Sequence, residues 1–398
     1  MIGASTNEGA GALSPIIVQR WSDFATLGSE WDGLLAASGS GSAFLAWDWI
    51  ESWRSVHGGV TTPCVIVCRD DDGALSGIAP LIRLRTSLAS RVVRILRFMG
   101  DVGEDSNNLD FIVRAGREAQ VTDLVLSTLE SSAIAWDVLE LRRIPVESPV
   151  LEHLVSGVAR RGWVAHRHDD THLVIDLPHT WSEFLARLST NTRWRLRRNA
   201  TLLAELGPLV TRTCAHRDDL AEYLDTLFRL YATRWALRGQ RDGAGDRMRR
   251  RFYDQLAPRL LDDGRLDLAV LESDGHVVAA QLGLRYGDAH YALQSAFDPA
   301  YARFSPSVVL ASDIVRRLIS NGVRTYDYLH GEEQYKLRWL PRRSTYEHIT
   351  IVRPGSVGER YLRAARTAGA MVARVRTRFP RTWNRLRDVR DHVNGLRP

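Results

Sequence analysis

Two spacings of apolar residues divide the chain into elements. Apolar residues recurring every three or four positions predict helices; short alternating or continuous apolar runs between turn formers predict strands. The first half opens with a strand at 16–18. A helix follows at 21–37, with Ser22 as its cap and Phe24, Leu27, Trp31, Leu34 and Leu35 inward. An aromatic helix comes next at 44–56. Its Leu45, Trp49 and Trp53 share one face, and Trp47, off that face, is a candidate to line a cleft. Then come a hairpin of strands 63–69 and 75–85, strands 91–99 and 107–113, a helix at 117–131 and a strand at 136–142. A helix at 151–161 stopped by Gly162 completes this half, and a strand at 172–177 crosses to the next.

The second half runs through the same plan without a residue-level repeat. It reads as a helical region at 180–206 broken at 189–191, a strand at 209–213 and a helix at 218–238. Leu220, Leu224, Leu227, Leu230 and Tyr231 mark the inward stripe of that helix. A Gly-rich polar loop at 240–246 and a helix at 249–262 follow. A hairpin at 266–273 and 276–285, a strand at 289–296, a helix at 307–321 and strands at 323–329 and 346–352 close the plan. Two α+β units are expected, residues 15–170 and 171–354, with the junction near 166–178.

Length agrees, since 398 residues exceed one ordinary domain. No stretch approaches the roughly 18 consecutive apolar residues of a membrane span. Residues 1–14 are rich in Gly, Ala and Ser, lack a basic start and an apolar core, and read as a disordered N-terminus, not a signal segment. The expected location is therefore cytoplasmic. Cys64, Cys68 and Cys214 make no disulfide framework and no paired zinc motif, and are expected as buried thiols in a reducing compartment. The net charge of +6 comes from the C-terminus: residues 354–398 hold eleven arginines against Glu359, Asp388 and Asp391, a balance of +8 that leaves −2 for the body. Val372, Val375, Phe379, Trp383, Leu386 and Val389 give this tail a helical pattern. It can lie peripherally on an anionic membrane or pack on the body.

Candidate chemistry concentrates in Thr325–Trp339. A strand containing Tyr326, Asp327 and Tyr328 ends at His330-Gly331, and Glu332, Glu333, Tyr335, Lys336, Arg338 and Trp339 follow. Lys336 is the only lysine in the chain, a compact ammonium where every other fixed cation is a guanidinium. A group-transfer site needs a base, a stabiliser of negative charge and two substrates held in contact. His330, Glu332 and Glu333 are candidate bases, and Lys336 is the candidate oxyanion or phosphate partner. Tyr291, Gln294 and Tyr335 are candidate orienting groups. Upstream, Arg193 and Arg197 lie one turn apart on a helix and suit an anionic group; Arg234 is a weaker version of the same kind. No Ser-His-Asp order, HExxH, paired CxxC or P-loop occurs, so serine-enzyme, zinc and NTPase chemistry are disfavoured and no metal is expected.

The run Gly331-Glu332-Glu333-x-Tyr335-Lys336, with Arg338-Trp339 after it, resembles the C-terminal signature of GNAT-type acyltransferases of the cellulose-biosynthesis-associated (CelD/BcsL-like) subgroup, related to Fem-type aminoacyltransferases of peptidoglycan synthesis. The likeness extends over residues 16–354. It implies tandem GNAT-like domains, each a twisted mixed sheet flanked by helices, followed by the basic tail. It also implies that the junction at Ser305-Pro306-Ser307 binds coenzyme A pyrophosphate, making Gln294, Ser305, Ser307 and Val308 candidate donor contacts. The family's usual Ser-Pro-Gly is Ser-Pro-Ser here. Arg193 and Arg197 would then flank the acceptor cleft, and Asp110 would match an acidic position of the first Fem domain. The implied reaction moves an acyl group, acetyl first, from acyl-CoA to an amine or hydroxyl of a glycan, glycolipid or envelope precursor. The rivals are an aminoacyl-tRNA-dependent transferase, which alone would bring nucleic acid as a partner, and an inactive docking module of an envelope complex.

Overall fold

The computed structural model describes residues 11–39, 41–101, 103, 106–236, 244–331 and 333–378, with side chains described for all of these except 234–236, 244–246, 334 and 368–378. Among the described residues two sheets form. The smaller contains Leu13–Val18, Val65–Asp70, Leu75–Ala79 and Ile112–Val113. The larger has eleven strands. From edge to edge they are Leu209–Thr213, Leu266–Ser273, His276–Tyr286, Ala289–Phe297, Thr325–His330, Val164–Asp176, Arg342–Val352, Val138–Pro145, Arg91–Phe98, Leu81–Leu88 and Thr62–Pro63. All pairs are antiparallel except Ala289–Phe297 with Thr325–His330 and Arg91–Phe98 with Val138–Pro145.

The α+β class is as expected, with one feature that element order does not reveal: the sheets of both halves are continuous. The last strand, Arg342–Val352, inserts between Val164–Asp176 and Val138–Pro145. It starts four residues before the expected 346, and its partner starts at Val164, not at 172. The reason is a polar cross-strand ladder. His168 stacks on His348 with ring centres 4.6 Å apart, His172 stacks on Tyr346 at 3.9 Å, and Arg167 pairs with Glu347. Side-chain pairing of this kind stabilises strands that carry no apolar alternation.

Other departures have local causes. The expected strand 75–85 is two strands, because the chain changes sheets at Pro80, which cannot donate to a ladder. The expected helix 21–37 is two helices, Trp21–Ala25 and Gly28–Ala36, and Ser22 is not the cap; Arg20 holds that place. A Cβ on Gly28 would come 2.8 Å from the Trp47 ring, and that ring stacks on Phe24 at 5.0 Å. Trp47 is therefore packed against the core. Of the expected strand 107–113 only Ile112–Val113 pairs; Asn108 is left-handed at φ 47°.

The halves meet through apolar rings. Trp49 meets Phe252 edge-on at 4.9 Å and Phe44 meets Tyr291 at 5.3 Å, both from the aromatic segment of the first half. A second core lies under helix Pro306–Ser320, where Leu310, Ile314 and Leu318 pack against Leu173, Ile175, Tyr326 and Tyr328. Truncating the fully buried Ile314 to alanine is worth about 2–5 kcal/mol of stability. The three cysteines are buried, and burial pushes the Cys64 thiol up to about 11 and Cys68 to about 12, so both are inert.

The tail begins as helix Val357–Arg378. A Cβ on Gly358 would sit 1.8 Å from the Asp137 carbonyl oxygen, so glycine allows this helix to lie on the sheet. Tyr361 and Leu362 pack against Val93, Ile95, Val138 and Val352, while Arg360, Arg363 and Arg366 are exposed. The apolar pattern expected at Val372 and Val375 falls on side chains that are not described. Phe379, Trp383, Leu386 and Val389 lie outside the described residues. No helix among the described residues is long and apolar enough to cross a membrane.

Candidate functional site

Strands Ala289–Phe297 and Thr325–His330 pair only at Ala289–Thr325, His290–Tyr326 and Tyr291–Asp327. Beyond Tyr291 and Asp327 their pairing stops, and the parallel pair opens into a splay. Alternation along Thr325–His330 sends Tyr326 and Tyr328 to the core under helix Pro306–Ser320 and Asp327 to the opposite face. One cavity lies beside the start of that helix, and another lies on the Asp327 face.

The chain reaches the helix start through the turn Pro299–Phe304, capped by Asp298, whose Oδ1 accepts the Ala300 N–H at 2.9 Å. Ser305 is left-handed at φ 51°, and Pro306 takes the first helical position, where its missing N–H costs nothing. In front of this start is a cavity of about 240 Å³, lined by Arg195, Arg198, Arg303 and Arg338 together with Ser305, Val308 and Trp339. Among the described residues no carboxylate lines it. The indole of Trp194 stands at its edge, 56% exposed, with the Arg198 guanidinium 5.3 Å from the ring centre. Four guanidiniums beside the positive end of a helix dipole favour phosphate. An exposed indole offers a stacking face for a base.

The arginine helix, Thr190–Ala204, divides its work by face. Arg193 turns back to donate to the carbonyls of Leu185, Ala186 and Leu188 at 3.2, 3.4 and 2.9 Å and to Thr190 Oγ1 at 3.2 Å. It thus satisfies the open C-terminal end of helix Trp181–Arg187. Arg197 and Arg193 border a separate hollow of about 200 Å³ with Asp313 and Arg316. The face toward Ser305 carries Arg195 and Arg198. The signal separating the pairs was spacing relative to Leu196 and Leu203, which are buried and fix the helix rotation.

Lys336 is buried on the short helix Gln334–Leu337. Its Nζ donates to the carbonyls of Tyr328, His330 and Gly331 at 3.2, 2.9 and 3.3 Å and lies 2.7 Å from Glu333 Oε2. An ammonium has three hydrogens, and these partners use them all. The lysine therefore ties the helix to the end of the splayed strand and sets Arg338 and Trp339 at the arginine cavity. Burial acts to raise the Glu333 pKa, but the hydrogen bond and charge of Lys336 outweigh it and hold the carboxyl below its usual value. His330 is exposed, with Nδ1 2.8 Å from Asp170 Oδ2. Tyr335 is 40% exposed and meets Tyr328 edge-on. Gln294 stands opposite Leu282 beside a bulge. The Ser307 Oγ is buried without a hydrogen-bond partner among the described residues. Glu332 lies outside the described residues, as does the Arg234 side chain.

On the other face is a cleft of about 340 Å³ between the halves. Ser42, Asn108 and Glu147 line it from the first half; Tyr291, Asp327 and Arg342 line it from the second, with His172 on the strand between. Asp110 is next to this wall: its Oδ2 accepts the Ser148 hydroxyl at 2.5 Å and its Oδ1 the Phe111 N–H at 2.8 Å, which holds the loop that carries Glu147. Tyr291 is buried, which raises its hydroxyl pKa well above the usual range. Asp327 is 4% exposed, and burial pushes its carboxyl up to about 7 despite the Leu329 N–H at 2.7 Å and the charges of Arg342 and Lys336. His172 Nε2 lies 3.9 Å from Asp327 Oδ2, and burial pushes this imidazole down to about 4. Sequence reasoning passed over Asp327 and His172; the available signal was an acid between two aromatic residues of one strand. Among the described residues no group of three or more His, Cys, Asp or Glu is placed to hold a metal ion.

A family profile described as Acetyltransferase (GNAT) domain matches residues 190–337. That interval holds the arginine helix, the splay, the Ser305 junction and Lys336. Among solved structures, FemX is 12% identical, with 84% of this chain and 96% of that one covered and a TM-score of 0.58. The chain has the GNAT/Fem-like fold. A protein of unknown function from Bacteroides thetaiotaomicron (12% identical, 82% and 97% covered, TM-score 0.52) shares this GNAT/Fem-like fold. So does the C-terminal domain of a putative lysylphosphatidylglycerol synthetase from Agrobacterium fabrum (14%, 88% and 96%, TM-score 0.50). No curated protein sequence matches this chain.

Proposed function

We infer that the protein is an acyltransferase whose donor is carried by a phosphorylated adenosine. It passes the acyl group to an amine or hydroxyl of a glycan, glycolipid or other cell-envelope precursor. The observation that carries this reading is the cavity of Arg195, Arg198, Arg303 and Arg338 at the start of helix Pro306–Ser320, with no carboxylate among its described lining residues. Acyl-CoA fits its chemistry: phosphates to the guanidiniums, adenine to Trp194, and the thioester arm into the opening between the strands. Aminoacyl-tRNA presents the same chemistry through its terminal adenosine and backbone phosphates, and the likeness to FemX keeps it as the second reading. The resemblance to the cellulose-associated subgroup and the lipid named for the Agrobacterium neighbour support an envelope acceptor.

In this reading residues 171–354 hold the donor. Residues 15–170 supply part of the acceptor cleft, and 355–398 give a basic surface for anionic lipid. Ser305, Ser307 and Val308 border the donor phosphate, and Gln294 faces the acyl arm. Lys336 and Glu333 position the cavity wall, with His330 and Tyr335 at its outer end. Tyr291 and Asp110 shape the acceptor side. The test is titration of the full-length chain with acetyl-CoA and, separately, with alanyl-tRNA. Saturable binding of one donor, weakened by added pyrophosphate, is expected. Binding of neither would overturn the reading.

A further inference from the structure

The hollow beside Arg197 has its own chemistry, apart from the donor cavity. Three helices enclose its 200 Å³ or so: Trp181–Arg187, Thr190–Ala204 and Pro306–Ser320. Each presents one stripe at helical spacing. Leu196, Arg197 and Ala200 form the stripe of the second helix; Val309, Ser312 and Arg316 form that of the third. The walls are four aliphatic side chains, Leu185, Leu196, Ala200 and Val309, and the half-buried indole of Trp181.

The rim is positive. Arg197 and Arg316 are exposed, and among the described residues neither guanidinium has an ion pair or hydrogen bond. Arg193 is spent on the carbonyls of the neighbouring helix. The one carboxylate of the lining, Asp313, is drawn toward the sheet edge, where its Oδ2 accepts the Thr211 hydroxyl at 2.6 Å. Two free guanidiniums over an apolar floor complement an anionic head on an apolar body. The volume bounds that body. An apolar cavity of roughly 150 Å³ admits a single benzene ring, and sites for larger ligands start near about 300 Å³. Mostly aliphatic walls suit a chain.

We propose that this hollow binds a small amphiphilic anion, a short acyl or alkyl chain bearing a carboxylate or phosphate, at a site separate from the donor cavity. Leu196 lines both spaces, while Val308 faces the donor cavity and Val309 the hollow. The occupant therefore rests against the back of the donor cavity's wall. It bridges Thr190–Ala204 to Pro306–Ser320 and holds the two helices together. The site needs no donor, so it stands whether or not the transferase reading does.

The test titrates the full-length chain, without donor, against octanoate, octyl phosphate, octanamide and acetate by calorimetry. Octanoate or octyl phosphate should bind once per chain. The tighter of the two tells whether a free carboxylate or a phosphorylated lipid head is the natural source. Octanamide, which lacks the charge, and acetate, which lacks the chain, should each bind about tenfold more weakly or worse. Arg197→Ala with Arg316→Ala should raise the octanoate Kd about tenfold, as expected for two exposed charge contacts. Ala200→Trp fills the hollow from a half-buried helical position, keeps both charges, and should also remove binding. Arg195→Ala with Arg198→Ala should change it less than about twofold, because those guanidiniums line the other cavity. Octanoate should slow backbone hydrogen exchange in 190–204 and 306–320. Binding kept in Ala200→Trp, equal binding of octanamide, or many octanoates per chain would overturn the site. Binding lost in Arg195→Ala/Arg198→Ala would place the anion in the donor cavity and overturn the inference. So would a wild-type chain that takes up neither octanoate nor octyl phosphate.

Discussion

Replacing Arg195 and Arg198 together by alanine should weaken donor binding about thirtyfold. Both guanidiniums line the cavity beside Ser305, and both are exposed. Exposure places each phosphate contact near 1 kcal/mol, between a screened surface pair and a buried charge-assisted hydrogen bond. Two such contacts give about 2 kcal/mol, or about thirtyfold at 1.4 kcal/mol per decade. Arg303 and Arg338 remain, so binding should survive at higher concentration. Calorimetric titration with whichever donor the wild type binds, at low and high salt, reads the effect. Wild-type affinity should fall with salt, and the double variant should fall less steeply. The control is Arg193→Ala with Arg197→Ala. It strips hydrogen bonds from three carbonyls of the neighbouring helix, so it should lower thermal stability while shifting donor affinity less than about twofold. Donor affinity lost in the control and kept in Arg195→Ala/Arg198→Ala would refute the assignment of the helix faces.

Four further outcomes are expected. Lys336→Ala and Lys336→Arg should both depress transfer and speed backbone hydrogen exchange across 328–340, because three carbonyls lose an ammonium that a planar guanidinium cannot replace; a fully active, well-protected Lys336→Arg would contradict the latch. His172 and His348 both titrate at about 4 in the folded chain, chiefly through burial. Unfolded imidazoles take up protons first, so the stability these residues contribute is lost as pH falls from about 6.5 to about 4. His348→Phe should flatten the dependence of Tm on pH in that window, and an unchanged slope would count against it. Asp327 has the opposite sign: its folded carboxyl holds a proton between about 4 and 7 that the unfolded one has released, so stability falls as pH rises through that range. Asp327→Asn should therefore melt above the wild type at pH values beyond 7, and a lower melting point there would argue against a strained buried carboxylate. Ending the chain after Thr367 keeps Tyr361 and Leu362 on their apolar patch and should preserve folding while weakening binding to phosphatidylglycerol vesicles at low salt; equal binding by both forms would remove the membrane contact.

Helix rotation and strand pairing explain which parts were legible in the sequence. The helices Thr190–Ala204 and Pro306–Ser320 announce themselves by the Ser189 cap of the first, by Pro306 at the first helical position of the second, and by apolar stripes. The junction at Ser305 was readable for the same reason. Strand Val164–Asp176 was half hidden, because His166, Arg167, His168, Asp169 and Asp170 look like a loop until Arg342–Val352 supplies their partners. Those partners are some 180 residues away in sequence, and no local pattern encodes such a pairing. The same distance concealed the cleft on the Asp327 face, since Asn108, Glu147, His172 and Asp327 come from separate elements. Lys336 stood out correctly as singular, but only its three carbonyl partners reveal what the ammonium does.

A crystal structure with the bound donor tests the central claim most directly. The account requires donor phosphate density among Arg195, Arg198, Arg303 and Arg338, the adenine against Trp194, and the acyl carbon at the parting of the strands, within reach of Asp327. Donor phosphate bound instead beside Arg193 and Arg197, or an acyl group on the far side of helix Pro306–Ser320 from Asp327, would contradict it.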